Sequence, residues 1–216
     1  MRYDTVFFDL DGTITDSKPG ILKCIRHALD EKGIAYADAQ LDLMVGPPFR
    51  VSMREILGVH DVALVEDMIR IYRAEYEVSG WRDCKVYDGM EELFERLKKA
   101  GKRLAVATSK PLRFTVMMLD ALGLSHYFDF IGGAESDSSR DSKIEVIRYV
   151  MENLSMSDAK GALMVGDRLY DVDGAKQANM DSAGVLWGYG SKEELEAHGA
   201  DYIFSSPKEL GDFLVG

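Results

Sequence analysis

Residues 3–8 form a short, largely apolar run rich in β-branched and aromatic side chains, a pattern that predicts a strand buried in a parallel sheet. Residues 18–32 then place Ile21, Leu22, Ile25, Ala28 and Leu29 at helical spacing, and Gly33 stands where a C-cap belongs. Helical periodicity continues through residues 37–45, 49–57 and 62–79, with Gly46-Pro47-Pro48 as a break. The rhythm changes after Trp81. Val86 and Tyr87 lead into Asp88-Gly89-Met90-Glu91, which reads as an N-cap with a capping-box glutamate opening a helix to Ala100. Strands and helices then alternate. Strands are expected at residues 103–107, 128–131, 162–165, 183–186 and 202–204. Helices are expected at residues 111–122, 141–153 and 170–179, with a last one opened by the capping box Ser206-Pro207-Lys208-Glu209. Such alternation predicts an α/β fold, a Rossmann-like doubly wound parallel sheet, with an all-helical insertion after the first strand.

The chain has 216 residues, enough for one generous core domain that carries a smaller insertion. Thirty-seven acidic against 26 basic residues give a formal charge of −11, and no local basic patch offsets it, so a nucleic-acid polymer or an anionic membrane is not an expected partner. The first strand leaves no room for a signal peptide and no segment reaches membrane-spanning length, so a cytoplasmic location is expected, with a monomer as the default. Cys24 and Cys84 lack metal or disulfide spacing and read as free thiols, and the four scattered histidines give no ligand pair. The eleven methionines fall mostly on apolar helix faces, as Met117, Met118 and Met151 do, and read as core filler.

The candidate chemistry gathers where predicted strands end. Asp9 and Asp11 follow the first strand, on one side of an extended chain, and Gly12 turns immediately after them. Asp and Gly are ordinary turn formers, but two carboxylates this close repel unless a cation joins them, at the sheet edge where such folds bind ligands. Thr108 and Ser109 follow the strand at 103–107, where a hydroxyl and backbone donors at a helix start cap the helix and can cradle an anion. Lys143 falls in the first turn of a helix capped by Asp141 or Ser142, where a cation opposes the helix dipole unless an anion lies nearby. Gly166-Asp167-Arg168-Leu169-Tyr170-Asp171 repeats the theme of acids beyond a buried strand: Asp167 stands where a ligand to the same metal would come from, with Asp171 one turn on.

Taken in order, Asp9-Leu10-Asp11-Gly12-Thr13, Thr108, Lys143 and Gly166-Asp167-Arg168-x-x-Asp171 closely resemble the motifs of the haloacid dehalogenase superfamily of phosphatases, over nearly the whole chain. Ala107-Thr108-Ser109-Lys110-Pro111, Gly46-Pro47-Pro48 and Val185-Leu186-Trp187-Gly188-Tyr189-Gly190 resemble its phosphoglycolate phosphatase group, which includes 5′-nucleotidases. The resemblance implies a core from residues 1–16 and 84–216, with a helical cap at 17–83. It also implies Asp9 as nucleophile and Asp11 as general acid and base. Phosphate binding would fall to Thr108, Ser109, Lys143 and Gly12. Magnesium would be held by Asp9, Asp11 (through its backbone carbonyl), Asp167 and Asp171. Asn179 stands where relatives often have glycine and tolerates the same left-handed backbone.

The implied reaction is hydrolysis of a small-molecule phosphate monoester, phosphoglycolate-like or a nucleoside 5′-monophosphate, through an aspartyl phosphate. In such enzymes the cap supplies specificity, which makes Phe49 and Arg50 candidates for substrate contact, although Arg50 reads equally as a solvated helix residue. Trp187 and Tyr189 fit either the flank of a pocket or simple packing. The aspartate at 11 argues against dehalogenation, which has no alkoxide to protonate. Alternatives are a sugar phosphomutase of the same superfamily and a receiver-like phosphoacceptor; the insertion after the first strand disfavours the latter.

Overall fold

The computed structural model describes residues 3–46, 49–135, 140 and 142–216. Strand β1 (Thr5–Phe8) is buried on both faces. A two-residue strand β2 (Thr15–Asp16) follows, and then four helices: α1 (Lys18–Glu31), α2 (Asp38–Leu43), α3 (Phe49–Glu55) and α4 (Val62–Val78). Strand β3 (Lys85–Val86) pairs antiparallel with β2, and α5 (Met90–Lys99) comes next. The alternating portion is β4 (Arg103–Pro111), α6 (Leu112–Ala121), β5 (Phe130–Ala134), α7 (Lys143–Asn153), β6 (Ala162–Gly166), α8 (Leu169–Gln177), β7 (Asp181–Val185), α9 (Lys192–Ala197), β8 (Tyr202–Phe204) and α10 (Pro207–Val215).

Six of these strands form one parallel sheet in the order β5-β4-β1-β6-β7-β8. From β1 the chain builds outward first to one side and then to the other, so the topological switch lies beside β1, where such sheets bind ligands beyond the strands' carboxyl ends. Period-two alternation sends β1 side chains to both layers. Phe7 joins a core with Val146, Ile147 and Val150 of α7, and Phe8 meets Phe94 of α5 edge to face at 5.3 Å.

The chain divides into two compact units, Ser17–Cys84 and the remainder. Within the helical unit, α1 packs on α4, burying Leu22, Ile25 and Leu29 with Val65, Met68 and Ile69. Neither cysteine forms a disulfide; Cys24 is buried and Cys84 half-buried.

Several boundaries differ from the sequence reading. Asp88 does not cap α5; Gly89, at φ +87, takes that place. Glu209 hydrogen-bonds back to Ser205 rather than to Ser206, so only the serine half of the last capping box forms. Strand β5 lies two to three residues later than expected, and β2, β3 and α9 have no counterpart in the periodicity, being too short to carry one. Ser142 caps α7 with Glu145 completing the box, whereas Asp141, the other candidate cap, lies outside the described residues, as do Pro47 and Pro48.

Candidate active site

Each side chain of the site is placed by a strand end or a helix start. Beyond β1, the Asp9 amide donates to Val165 O at 2.9 Å, which ties the loop to β6. Gly12 then turns the chain at φ +85, and a Cβ there would lie 2.3 Å from Asp167 Oδ2, so both the backbone and the space require glycine. Beyond β6, Asp167 is wholly buried; its Oδ2 accepts from the Tyr189 amide at 2.8 Å and its Oδ1 from the Thr13 hydroxyl at 3.2 Å. Asp171 in the first turn of α8 accepts from the Arg168 amide through Oδ2, leaving Oδ1 to face the site. Lys143, the first residue of α7, reaches Ala107 O at 3.0 Å and lies 2.8 Å from both Asp9 Oδ1 and Asp171 Oδ1.

Carboxylate oxygens of Asp9, Asp167 and Asp171 fall within 4.8 Å of one another, all three residues buried. Three acids share one lysine, and the imbalance appears in their proton affinities. Burial, then the charges of Asp171 and Asp9, push Asp167 up to about 8. Burial also raises Asp171, to about 6, against the pull of Lys143. Burial would lower Lys143, but the two carboxylates outweigh it and hold the ammonium above its ordinary value.

Asp11 contributes no carboxylate to this cluster. The two acids beyond β1 have separate lysine partners: Lys143 faces Asp9, while Lys110 Nζ holds Asp11 at 2.8 Å from Oδ2 and 3.1 Å from Oδ1. Sequence reading missed Lys110 because it ended the strand at Ala107. Strand β4 runs on to Pro111, with a register shift against β5 between Ala107 and Pro111. Thr108 and Lys110, two apart, are buried, whereas Ser109 between them is exposed and does not join Thr108. Nor does Ser109 cap α6; that position falls to Pro111, and the Thr108 hydroxyl accepts from the Lys110 amide at 3.2 Å. The signal was available: a residue before proline is driven to extended backbone, which carries the strand through Lys110.

The sequence profile of the haloacid dehalogenase-like hydrolases matches residues 6–185. The chain belongs to that family. It is 37% identical over 199 residues to a 5′-nucleotidase of Pseudomonas aeruginosa, covering 92% of this chain and 89% of that one. It is 40% identical over 192 residues to the tyrosine-protein kinase PtkA of Mycobacterium tuberculosis, covering 88% of this chain but only 65% of that longer protein. The crystal structure of a predicted phosphatase from Clostridium acetobutylicum superposes with a TM-score of 0.93 at 41% identity, covering 100% of this chain and 99% of that one.

Members of this family generally work with a divalent cation, and the residues present fit one. Asp9 Oδ1 and Asp171 Oδ1 are buried and, although Lys143 lies at ion-pair distance, neither receives a directed hydrogen bond. An all-oxygen set of three clustered carboxylates suits magnesium. Around it, Trp187 Nε1 donates to Thr13 O at 2.9 Å and Tyr189 Oη to Asp16 at 3.4 Å, so both rings brace the loop from β1. Burial, then Asp16 and Asp167, raises the Tyr87 phenol above its ordinary range. In the helical unit, Arg50 pairs in two-pronged fashion with Glu66 at 2.6 and 2.8 Å, and Phe49 packs at 5.5 Å from Tyr72. No helix among the described residues is long and apolar enough to cross a membrane.

Proposed function

We propose that the protein is a magnesium-dependent phosphomonoesterase acting on a small phosphorylated metabolite, phosphoglycolate-like or a nucleoside 5′-monophosphate, in the cytoplasm. The observation that carries the reading is the division of the two acids beyond β1: Asp9 sits in the buried acidic cluster with Lys143, and Asp11 stands apart from it. Asp9, Asp167 and Asp171, with the backbone carbonyl of Asp11, would hold the magnesium. The bound cation would offset the charge of the phosphate and of the carboxylates around it.

In this mechanism a carboxylate oxygen of Asp9 attacks phosphorus while the bond to the ester oxygen breaks, and Asp11 gives its proton to the departing alkoxide. Asp11 then takes a proton from water as that water's oxygen attacks phosphorus, and the bond to Asp9 breaks to release inorganic phosphate. Lys143 and the Thr108 hydroxyl, with backbone donors near Gly12, bind the transferring group. The helical unit acts as a cap that supplies specificity, with Phe49 and Arg50 as substrate contacts; Arg50 would have to exchange Glu66 for the substrate.

A second reading has a specific observation behind it, the 40% identity to a protein named as a tyrosine-protein kinase. The same attack on a nucleotide's terminal phosphate, followed by transfer to a phenol instead of water, would be kinase chemistry. Incubation with magnesium and a panel of phosphomonoesters should release inorganic phosphate, and incubation with labelled ATP and a tyrosine peptide should leave the peptide unlabelled. Label on the peptide without phosphate release would replace the phosphatase reading.

A further inference from the structure

We propose that Lys110 is a positioning residue that holds the Asp11 side chain out of the metal's carboxylate set and keeps it aimed at the leaving group. The inference rests on the phosphatase reading for its catalytic half and on geometry alone for the other. Four acids crowd the carboxyl ends of β1 and β6, yet only Asp9, Asp167 and Asp171 bring their oxygens within 4.8 Å of one another. The fourth is gripped at both oxygens by Lys110, whose side chain is 6% exposed against 23% for Asp11. A divalent cation would attract a nearby carboxylate, and an acid captured as a ligand no longer meets the ester oxygen. The ammonium offers Asp11 a competing partner.

The placement of Lys110 is built into the strand. The register shift between β4 and β5 lets the chain continue extended past Ala107, and such irregularities re-aim side chains at functional edges. Proline at 111 holds Lys110 extended, and the lysine's own backbone is pinned on both sides: its amide donates to Thr108 Oγ1 at 3.2 Å, and Thr115 Oγ1 donates to its carbonyl at 3.4 Å. A Cβ on Gly133 would come within 2.7 Å of that same carbonyl, so the close approach of β5 to the end of β4 requires glycine there.

The test compares wild type with Lys110→Met, Lys110→Arg, Asp11→Asn and the Lys110→Met/Asp11→Asn double variant, using β-glycerophosphate, p-nitrophenyl phosphate and magnesium alone. Lys110→Met should lose turnover of the alkyl ester by at least roughly tenfold more than of the nitrophenyl ester, because only the alkoxide needs a positioned acid. Lys110→Arg should recover most of the difference, and the double variant should be no worse than Asp11→Asn. Equal losses on both esters overturn the positioning role. Magnesium affinity, read from the magnesium-dependent rise in Tm, should increase in Lys110→Met and return to the Asp11→Asn value in the double variant. A gain that persists in the double variant would come from deleting the ammonium charge and would overturn the capture argument. A wild type that hydrolyses neither ester ends the phosphatase reading, and the magnesium cycle then decides the geometric half by itself.

Discussion

Lys143 opens α7, where a cation opposes the helix dipole, a penalty of a few tenths of a kcal/mol or about 1 kcal/mol when partly buried. Two carboxylates at 2.8 Å reverse that sign. The same contacts predict how the site responds to losing one acid. In Asp9→Asn the ammonium keeps Asp171, and a buried cluster of three crowded acids loses one ionisable group, so the fold should survive and Tm without magnesium should hold or rise. Phosphomonoester hydrolysis should fall on the order of 10⁴-fold or more, the scale of losing a nucleophile. Steady-state phosphate release beside a thermal melt checks both; activity within about tenfold of wild type would remove Asp9 from the attacking role.

At the scale of elements, the site is a set of strand ends converging beside β1, and the loop after β7 closes it from behind. Gly188 in that loop has no space for a side chain: a Cβ would lie 2.2 Å from Gly12 O and 2.4 Å from Asp167 Cβ. Gly188→Ala should therefore destabilise the protein by about 1–3 kcal/mol, the usual cost of forcing a methyl into a packed site. It should also weaken the magnesium-dependent rise in stability, because Asp167 is the group displaced. Urea unfolding with and without magnesium measures both, and an unchanged midpoint would mean the loop yields freely. What the sequence made legible here were the long elements, the buried strand expected at residues 3–8 and found at Thr5–Phe8, and the acids after it. What it left out were pieces fixed by tertiary contact: the two-residue pair β2 and β3, the glycine start of α5, and the continuation of β4. Lys110 was lost with that continuation, because a strand assumed to stop at Ala107 hides which residues share a face: Thr108 and Lys110 are buried, and Ser109, expected beside Thr108, is exposed.

For the whole molecule, the acidic cluster would link binding of the proposed cation to pH and stability. Asp167 has a pKa of about 8 when folded against a reference of 3.8, so its ionisation is disfavoured by folding. The stability associated with its neutral form is fully present below the unfolded value and is lost as pH rises through about 8. Metal-free protein should accordingly weaken across that window, with Asp171, also raised, adding to the loss at its lower end. Magnesium needs the carboxylate ionised, so at low pH it must displace a proton and at high pH it relieves a repulsion. The rise in Tm caused by magnesium should thus be larger near about pH 8.5 than near about pH 6, at matched ionic strength, since a chain of net charge −11 also responds to salt alone. Asp167→Asn separates the two effects: it should be more stable than wild type without magnesium at the higher pH, and its small magnesium response should not grow with pH. A pH-independent magnesium shift in the wild type, or an undiminished one in Asp167→Asn, would mean the cation binds elsewhere than at this cluster.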